Sequence, residues 1–220
     1  MAQKINYRGV NMHICYKDAS VATLISKSLG MTQCLGVHPR GYWLWLSIQD
    51  VPDPNDPASW DFQLQWTWRS GPKTESLATL NLENLKAEAA ECFGEPYRTA
   101  WLSIAEGTKV PSNDIRVWPP SPIPQEAFYG RAALIGDAAH AMSFHRGQGL
   151  NHGTVDACRL VDELTVGDRS QKDAVLAYEA EMIRRAGEEV KLGKMNTEMM
   201  HDWERMKDSA FMQRGGDKNK

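Results

Sequence analysis

Apolar and polar residues alternate along the chain in a way that predicts strands and helices in the first half and mostly helices in the second. "GVNMHICYKD" reads as a strand, and "ASVATLISKSLG" then sets Val21, Leu24, Ile25 and Leu29 at helical spacing with Gly30 as a stop. "YWLWLSIQD" and "WDFQLQWTWRSG" alternate large apolar with smaller or polar residues, which predicts two half-buried strands. The three prolines of "VPDPNDPAS" lack amide donors, so the stretch between these strands is expected to be a surface loop. From Leu77 to Phe93 the period is helical, with Leu82, Leu85 and Ala89 on one face and Glu83, Glu88 and Glu91 on another, until Gly94 and Pro96 end it. A shorter helix is expected across "YRTAWLSIAEG".

"VPSNDIRVWPPSPIPQEAFYG", with five prolines, predicts an extended crossover without regular structure. "RAALIGD" follows as a short apolar strand closed by Gly136 and Asp137. Beyond a glycine-rich turn, "LNHGTVDACRLVDEL" predicts a helix with Asn151 as its cap and Gly153 as an internal weak point. Gln171 to Met212 predicts one long helix, with Val175, Tyr178, Met182, Ala186 and Val190 on a stripe that Met195, Met199, Trp203 and Met206 extend. Such a stripe more often packs on its own domain or a twin subunit than serves as a pliable partner surface, and Glu181 and Arg185 form a favourable pair four apart. The last residues, "RGGDKNK", are expected to fray.

Composition changes this picture mainly by exclusion. With 220 residues, 42% hydrophobic and 24% charged, the chain is long enough to bury a core. A formal net charge of -3 leaves no basic excess for nucleic acid or an anionic membrane. The start "MAQKINYRGVNM" is no signal peptide and no stretch is long and apolar enough to span a bilayer, so a cytoplasmic location is the expectation. Cys15, Cys34, Cys92 and Cys158 form no CxxC pair, and reduced, mostly buried thiols are expected. Six of the eight tryptophans lie in the first half, where they fit a core better than a ligand surface.

The candidate chemistry sits in "GRAALIGDAAHAMSFHRGQGLN", residues 130–151. A helix N-terminus carries unpaired amides and partial positive charge, so it stabilises negative charge placed against it. Glycines at 147 and 149 let a ligand approach the backbone, and Asp137 at the end of a strand can accept hydrogen bonds from sugar hydroxyls. Alone, these features describe either half of a nucleotide-cofactor cradle or a tight connection. His140, His145 and His152 are spaced by five and seven and do not align on one helical face, so no metal site is expected.

The same segment resembles the second flavin-binding signature of the single-component FAD-dependent monooxygenases, the aromatic-hydroxylase and salicylate-hydroxylase-like group. Gly136, Asp137, Ala138, Ala139, His140, Gly147 and Gly149 stand in register with that pattern, and "AYEAEMIRRAGEEV" is similar to the late helix of fungal members. The resemblance is strong from about Gly130 to Val190 and loose before it. It implies an α+β fold: a substrate-domain-like mixed sheet with helices over 1–120, the returning strand-turn-helix of a glutathione-reductase-like FAD-binding domain over 121–170, and a C-terminal helix and tail over 171–220. It further implies that Gly136, Asp137, His140, Gly147, Gly149, Leu150 and Asn151 bind FAD. In that reading Asp137 holds the ribityl or pyrophosphate, and the amides near Gly149, Leu150 and Asn151 face the pyrimidine edge of the ring. NAD(P)H would be the reductant and an aromatic or polyketide-like small molecule the substrate, in secondary metabolism or aromatic catabolism; no acid or base is assigned.

Two departures accompany the resemblance. The family's GxGxxG motif for the ADP half of FAD and its mid-chain DG motif do not occur in the 220 residues, and Phe144 stands where the family has proline. Three expectations follow: a monooxygenase that obtains the missing motif from another polypeptide, a flavin-free relic catalysing a non-oxidative cyclisation or isomerisation, or a non-catalytic partner subunit. An exposed sheet edge or apolar face, and pairing with another copy or with a chain supplying the missing half, are also expected.

Overall fold

The computed structural model describes residues 2–30, 32–124 and 128–209. The expected fraying of 214–220, the end of the long helix beyond 209 and residues 125–127 of the crossover lie outside the described residues. The chain forms two compact units, one of residues 6–114 and 200–220, the other of residues 1–5 and 115–199. No described helix is long and apolar enough to cross a membrane.

Period-two alternation produces the sheet, whose residues 3–5 and 115–117 belong to the second unit and the rest to the first. Strands β1 (Gln3–Ile14), β2 (Gln33–His38), β3 (Tyr42–Asp50), β4 (Asp61–Arg69) and β5 (Asn113–Val117) lie in the order β2-β3-β4-β1-β5, and the β2–β3, β3–β4 and β4–β1 ladders are antiparallel. On β4 the alternating residues Phe62, Leu64, Trp66 and Trp68 are buried; removing an apolar side chain of this size from water contributes about 1.5–3 kcal/mol. Trp66 packs edge-on against Trp101 and Phe93, and Trp43, Trp66, Trp68 and Trp101 are buried, in line with the core reading of these residues. Helices α1 (Ala19–Ser28), α2 (Leu82–Cys92) and α3 (Tyr97–Leu102) contribute Ile25, Leu85 and Trp101 to the same cluster. Asp18 caps α1 by accepting from the Ser20 and Val21 amides, and Asn81 caps α2 through the Asn84 amide. After the last long helix the chain returns to this sheet, where His201 Nε2 lies 2.9 Å from the Thr67 hydroxyl and the His201 carbonyl abuts Gly41.

Several expectations change. β2 and β5 were not expected; β2 is short and carries Gly36, whose missing side chain leaves room for the Tyr97 ring. Glu88 is buried, because the Tyr42 hydroxyl and Arg40 both donate to its carboxylate. The cysteines are half-buried, except Cys158, which is exposed.

The second unit holds α4 (Asp137–His140), α5 (Gly149–Thr165) and most of α6 (Gln171–Met200); a short α7 (Trp203–Lys207) follows, capped by Asp202. The α6 stripe is buried at Val175, Tyr178, Met182, Ala186 and Val190, of which Tyr178, Met182 and Ala186 pack with Ala139 inside their own unit. Of its predicted extension, Met206 is buried but Met195 is exposed, and Thr197 is buried beside it, bonded to Ser143 and His145. Residues 131–135 form no strand. Leu134 and Ile135 are exposed, and the Leu134 carbonyl accepts from the Tyr178 hydroxyl of α6 rather than from a neighbouring strand.

Candidate functional site

Gly136 ends that segment with φ +56°, a left-handed conformation that glycine adopts without strain. Its amide donates to Asp156 Oδ2 at 2.7 Å, and His140 Nε2 reaches the same oxygen at 2.6 Å. Arg185 Nη2 donates to the other oxygen at 2.7 Å while its Nε holds Glu181 at 2.9 Å. Asp156 is fully buried, so this carboxylate ties the turn, α5 and α6 together from inside. Burial works to raise its pKa, but the bonds from Arg185, the Gly136 amide and His140 outweigh that and hold it below the usual carboxylate range. Burial likewise works against the Arg185 charge, yet Glu181 and Asp156 raise its pKa. His152 is held below the ordinary histidine range by burial and by Arg185, whose Nη1 lies 3.0 Å from its Nδ1.

The pinned turn presents Asp137 outward, in the first turn of α4. A Cβ built on Gly149 would lie 3.7 Å from Asp137 Oδ1, which puts the carboxylate beside the start of α5. No side chain caps α5, whose flanking residue is Gln148, so its leading amides carry unpaired donors. Gly147 has φ +64°, and a Cβ there would meet no atom within 4 Å. An acceptor and a set of donors thus stand side by side above bare backbone. This pairing suits a ligand with hydroxyl groups on one part and an electron-rich edge on another.

Of the residues singled out by sequence, Gly136, Asp137 and Gly149 meet here, and Gly147 and Leu150 flank them, Leu150 being 82% exposed. His140 is fully buried on Asp156. Asn151 is not the cap: the helix starts two residues earlier at Gly149, and the Asn151 amide group donates to the Gln148 side chain. Gly153 faces Gly136 closely: a Cβ built on Gly153 would lie 3.5 Å from the Gly136 Cα. Phe144 is half-exposed and stacked on His145. Sequence reasoning missed Asp156 and Arg185. The available signal was spacing, because Asp156 lies three residues after Gly153 and four before Leu160, on the small-residue face of the helix. A separate cleft of about 380 Å³ in the sheet unit, lined by Arg8, Trp68 and Thr74 among others, contains none of the turn residues.

The family model described as an FAD binding domain matches residues 65–191. The chain is 35% identical over 209 residues to the FAD-dependent monooxygenase phnB of Penicillium herquei, covering 93% of this chain and 50% of that protein. It is also 35% identical over 186 residues to the FAD-dependent monooxygenase cctM of Talaromyces islandicus, covering 83% and 46%. The fold is similar to that of P. aeruginosa PqsL solved with 2-aminobenzoylacetate, at TM-score 0.65 and 17% identity over 93% of this chain and 51% of that one. CtdE, solved with FAD and a substrate, matches at TM-score 0.66 and 13% identity over 91% and 48%. The chain therefore spans about half the length of the relatives it matches.

Proposed function

The chain belongs to the family of FAD-dependent monooxygenases, and on that premise we propose that its glycine turn forms the part of an FAD site that grips the ribityl chain and the pyrimidine edge of the flavin. The assembled enzyme would hydroxylate or epoxidise an aromatic or polyketide-like small molecule with NAD(P)H and dioxygen. When bound, FAD supplies the activation of oxygen and its transfer to the substrate.

The chain's own residues hold and polarise that group. Asp137 accepts hydrogen bonds from flavin hydroxyls, and its exposed carboxylate is free to do so without displacing a core contact. The uncapped amides at Gly149, Leu150 and Asn151 donate toward the pyrimidine edge, where their fixed dipoles favour the negative charge of the reduced ring. Gly147 and Gly149 leave the backbone bare for a planar group, a fit that bulkier residues would fill. Asp156 and His140 touch no ligand in this reading; they position the turn from beneath.

The observation that carries the proposal is the exposed Asp137 carboxylate beside the uncapped start of α5. The test is flavin titration followed by the quenching of flavin fluorescence. Asp137→Ala should weaken FAD binding at least tenfold while leaving the far-UV circular dichroism unchanged, and equal binding by the variant would refute the assigned role.

A further inference from the structure

Strand β1 sets Arg8 directly opposite Trp68 of β4. Alternation puts Arg8 on the same face as Val10 and Met12, which enter the core, so a half-buried guanidinium stands at the border of that core. Its Nη2 donates to the Ser112 hydroxyl at 3.0 Å and its Nη1 to the Ala78 carbonyl at 3.4 Å, a long contact. Nε lies 3.9 Å from Asp114 Oδ1, beyond hydrogen-bond reach. A guanidinium carries five N–H donors, and the rest of these meet no acceptor among the described residues. Trp68 repeats the pattern. It is 1% exposed, yet its indole N–H also meets no acceptor among the described residues. A buried donor without an acceptor costs free energy that a ligand oxygen recovers.

Both residues line the cleft of about 380 Å³, which lies within residues 6–114 and falls in the size range of small-molecule sites, roughly 300–1,000 Å³. Leu77, fully buried, and Pro72 give it apolar walls. The Thr74 hydroxyl donates to the Arg69 and Gly71 carbonyls and so holds the turn that carries Pro72. Arg8 and the exposed Glu75 are the charged residues of the lining, one of each sign, and Asp114 stands beside Arg8. An added anion would therefore meet two acids and one base.

We infer that this cleft binds a neutral aromatic carbonyl compound of one or two rings. The carbonyl oxygen accepts from Arg8 and Trp68, and the rings lie on Leu77 and Pro72. Glu75 and Asp114 turn away the matching carboxylate, so selectivity comes from repulsion as well as from contact. The inference goes beyond the flavin reading and does not depend on it, since no residue of the glycine turn lines the cleft.

The test titrates the chain, labelled with nitrogen-15, with 2-acetylnaphthalene and, separately, with 2-naphthoate, a carboxylate of nearly the same shape. The indole N–H signal of Trp68, identified as the one lost in Trp68→Phe, should move downfield with the ketone. It should reach half-saturation at or below about 1 mM, the affinity that about thirteen heavy atoms support at ordinary ligand efficiency. The naphthoate should bind at least threefold more weakly, and Glu75→Gln should narrow that difference. By calorimetry the ketone should bind about threefold to tenfold more weakly to Trp68→Phe and at least tenfold more weakly to Arg8→Gln. No saturable shift of the Trp68 signal, naphthoate bound as tightly as the ketone, or full ketone affinity in Trp68→Phe would overturn the inference. Should Arg8→Gln unfold, having lost its bond to Ser112, Trp68→Phe, which keeps an aromatic ring in place, and the exposed Glu75→Gln still decide it.

Discussion

Replacing Asp156 with asparagine keeps the volume and removes the charge, so it isolates what the buried carboxylate does. Three donors converge on it: the Gly136 amide at 2.7 Å, His140 Nε2 at 2.6 Å and Arg185 Nη2 at 2.7 Å. An asparagine side chain has one oxygen and one NH₂ group. If the oxygen faces Gly136 and His140, the NH₂ confronts the guanidinium; if it faces Arg185, the NH₂ confronts the Gly136 amide. Either rotamer sets donor against donor in a site without water access. Removing one partner of a buried pair costs about 3–5 kcal/mol. Because the Arg185 side chain keeps 22% exposure and retains Glu181, the lower end, about 3 kcal/mol, is expected. That is a large share of a typical stability of about 5–15 kcal/mol. Urea unfolding followed by circular dichroism at helical wavelengths reads the unit that contains α5 and α6. Asp137→Asn, on the exposed side of the same turn, should change stability by no more than about 0.5 kcal/mol. A loss below about 1 kcal/mol for Asp156→Asn, the size of one neutral hydrogen bond, would refute the clamp.

Two further outcomes follow from the same contacts. The folded pKa of Asp156 lies below its unfolded value, so its contribution is fully present above about pH 4, the ordinary aspartate range, and is lost as pH falls through the folded value; urea midpoints measured from pH 6 downward should fall less steeply in Asp156→Asn than in the native chain. Gly130 has φ +66°, and a Cβ there would come within 2.7 Å of the Lys172 backbone, so Gly130→Ala should destabilise by about 1–3 kcal/mol in the same assay, and an unchanged midpoint would contradict the packing at the start of α6.

Elements with a full period of their own were legible in the sequence. β3 runs Tyr42–Asp50, the stretch that alternation marks out, and α1 stops before Gly30 as its pattern predicts. The buried α6 stripe from Val175 to Val190 was likewise readable from spacing alone. Segment 131–135 was misread because an apolar run states only that burial is favourable, whereas here Leu134 and Ile135 stay exposed and the Leu134 carbonyl is taken by the Tyr178 hydroxyl. Glu88 was misread because helical periodicity sorts side chains by hydropathy and cannot register that Tyr42 and Arg40, more than forty residues away, supply donors. At the site, Asp137 and the glycines were visible because motif spacing and backbone freedom are local properties. The clamp beneath them was not, since it joins residues 136, 156 and 185 through the fold.

Neither unit is a continuous stretch of chain. Residues 1–5 belong with 115–199, and 6–114 belong with the segment that starts at residue 200. A ribosome therefore releases nearly all of the sheet unit long before His201, the residue that reaches Thr67 and covers Gly41. The sheet waits through the synthesis of the whole helical unit for its closing contact. No single cut of the chain therefore separates the two units cleanly.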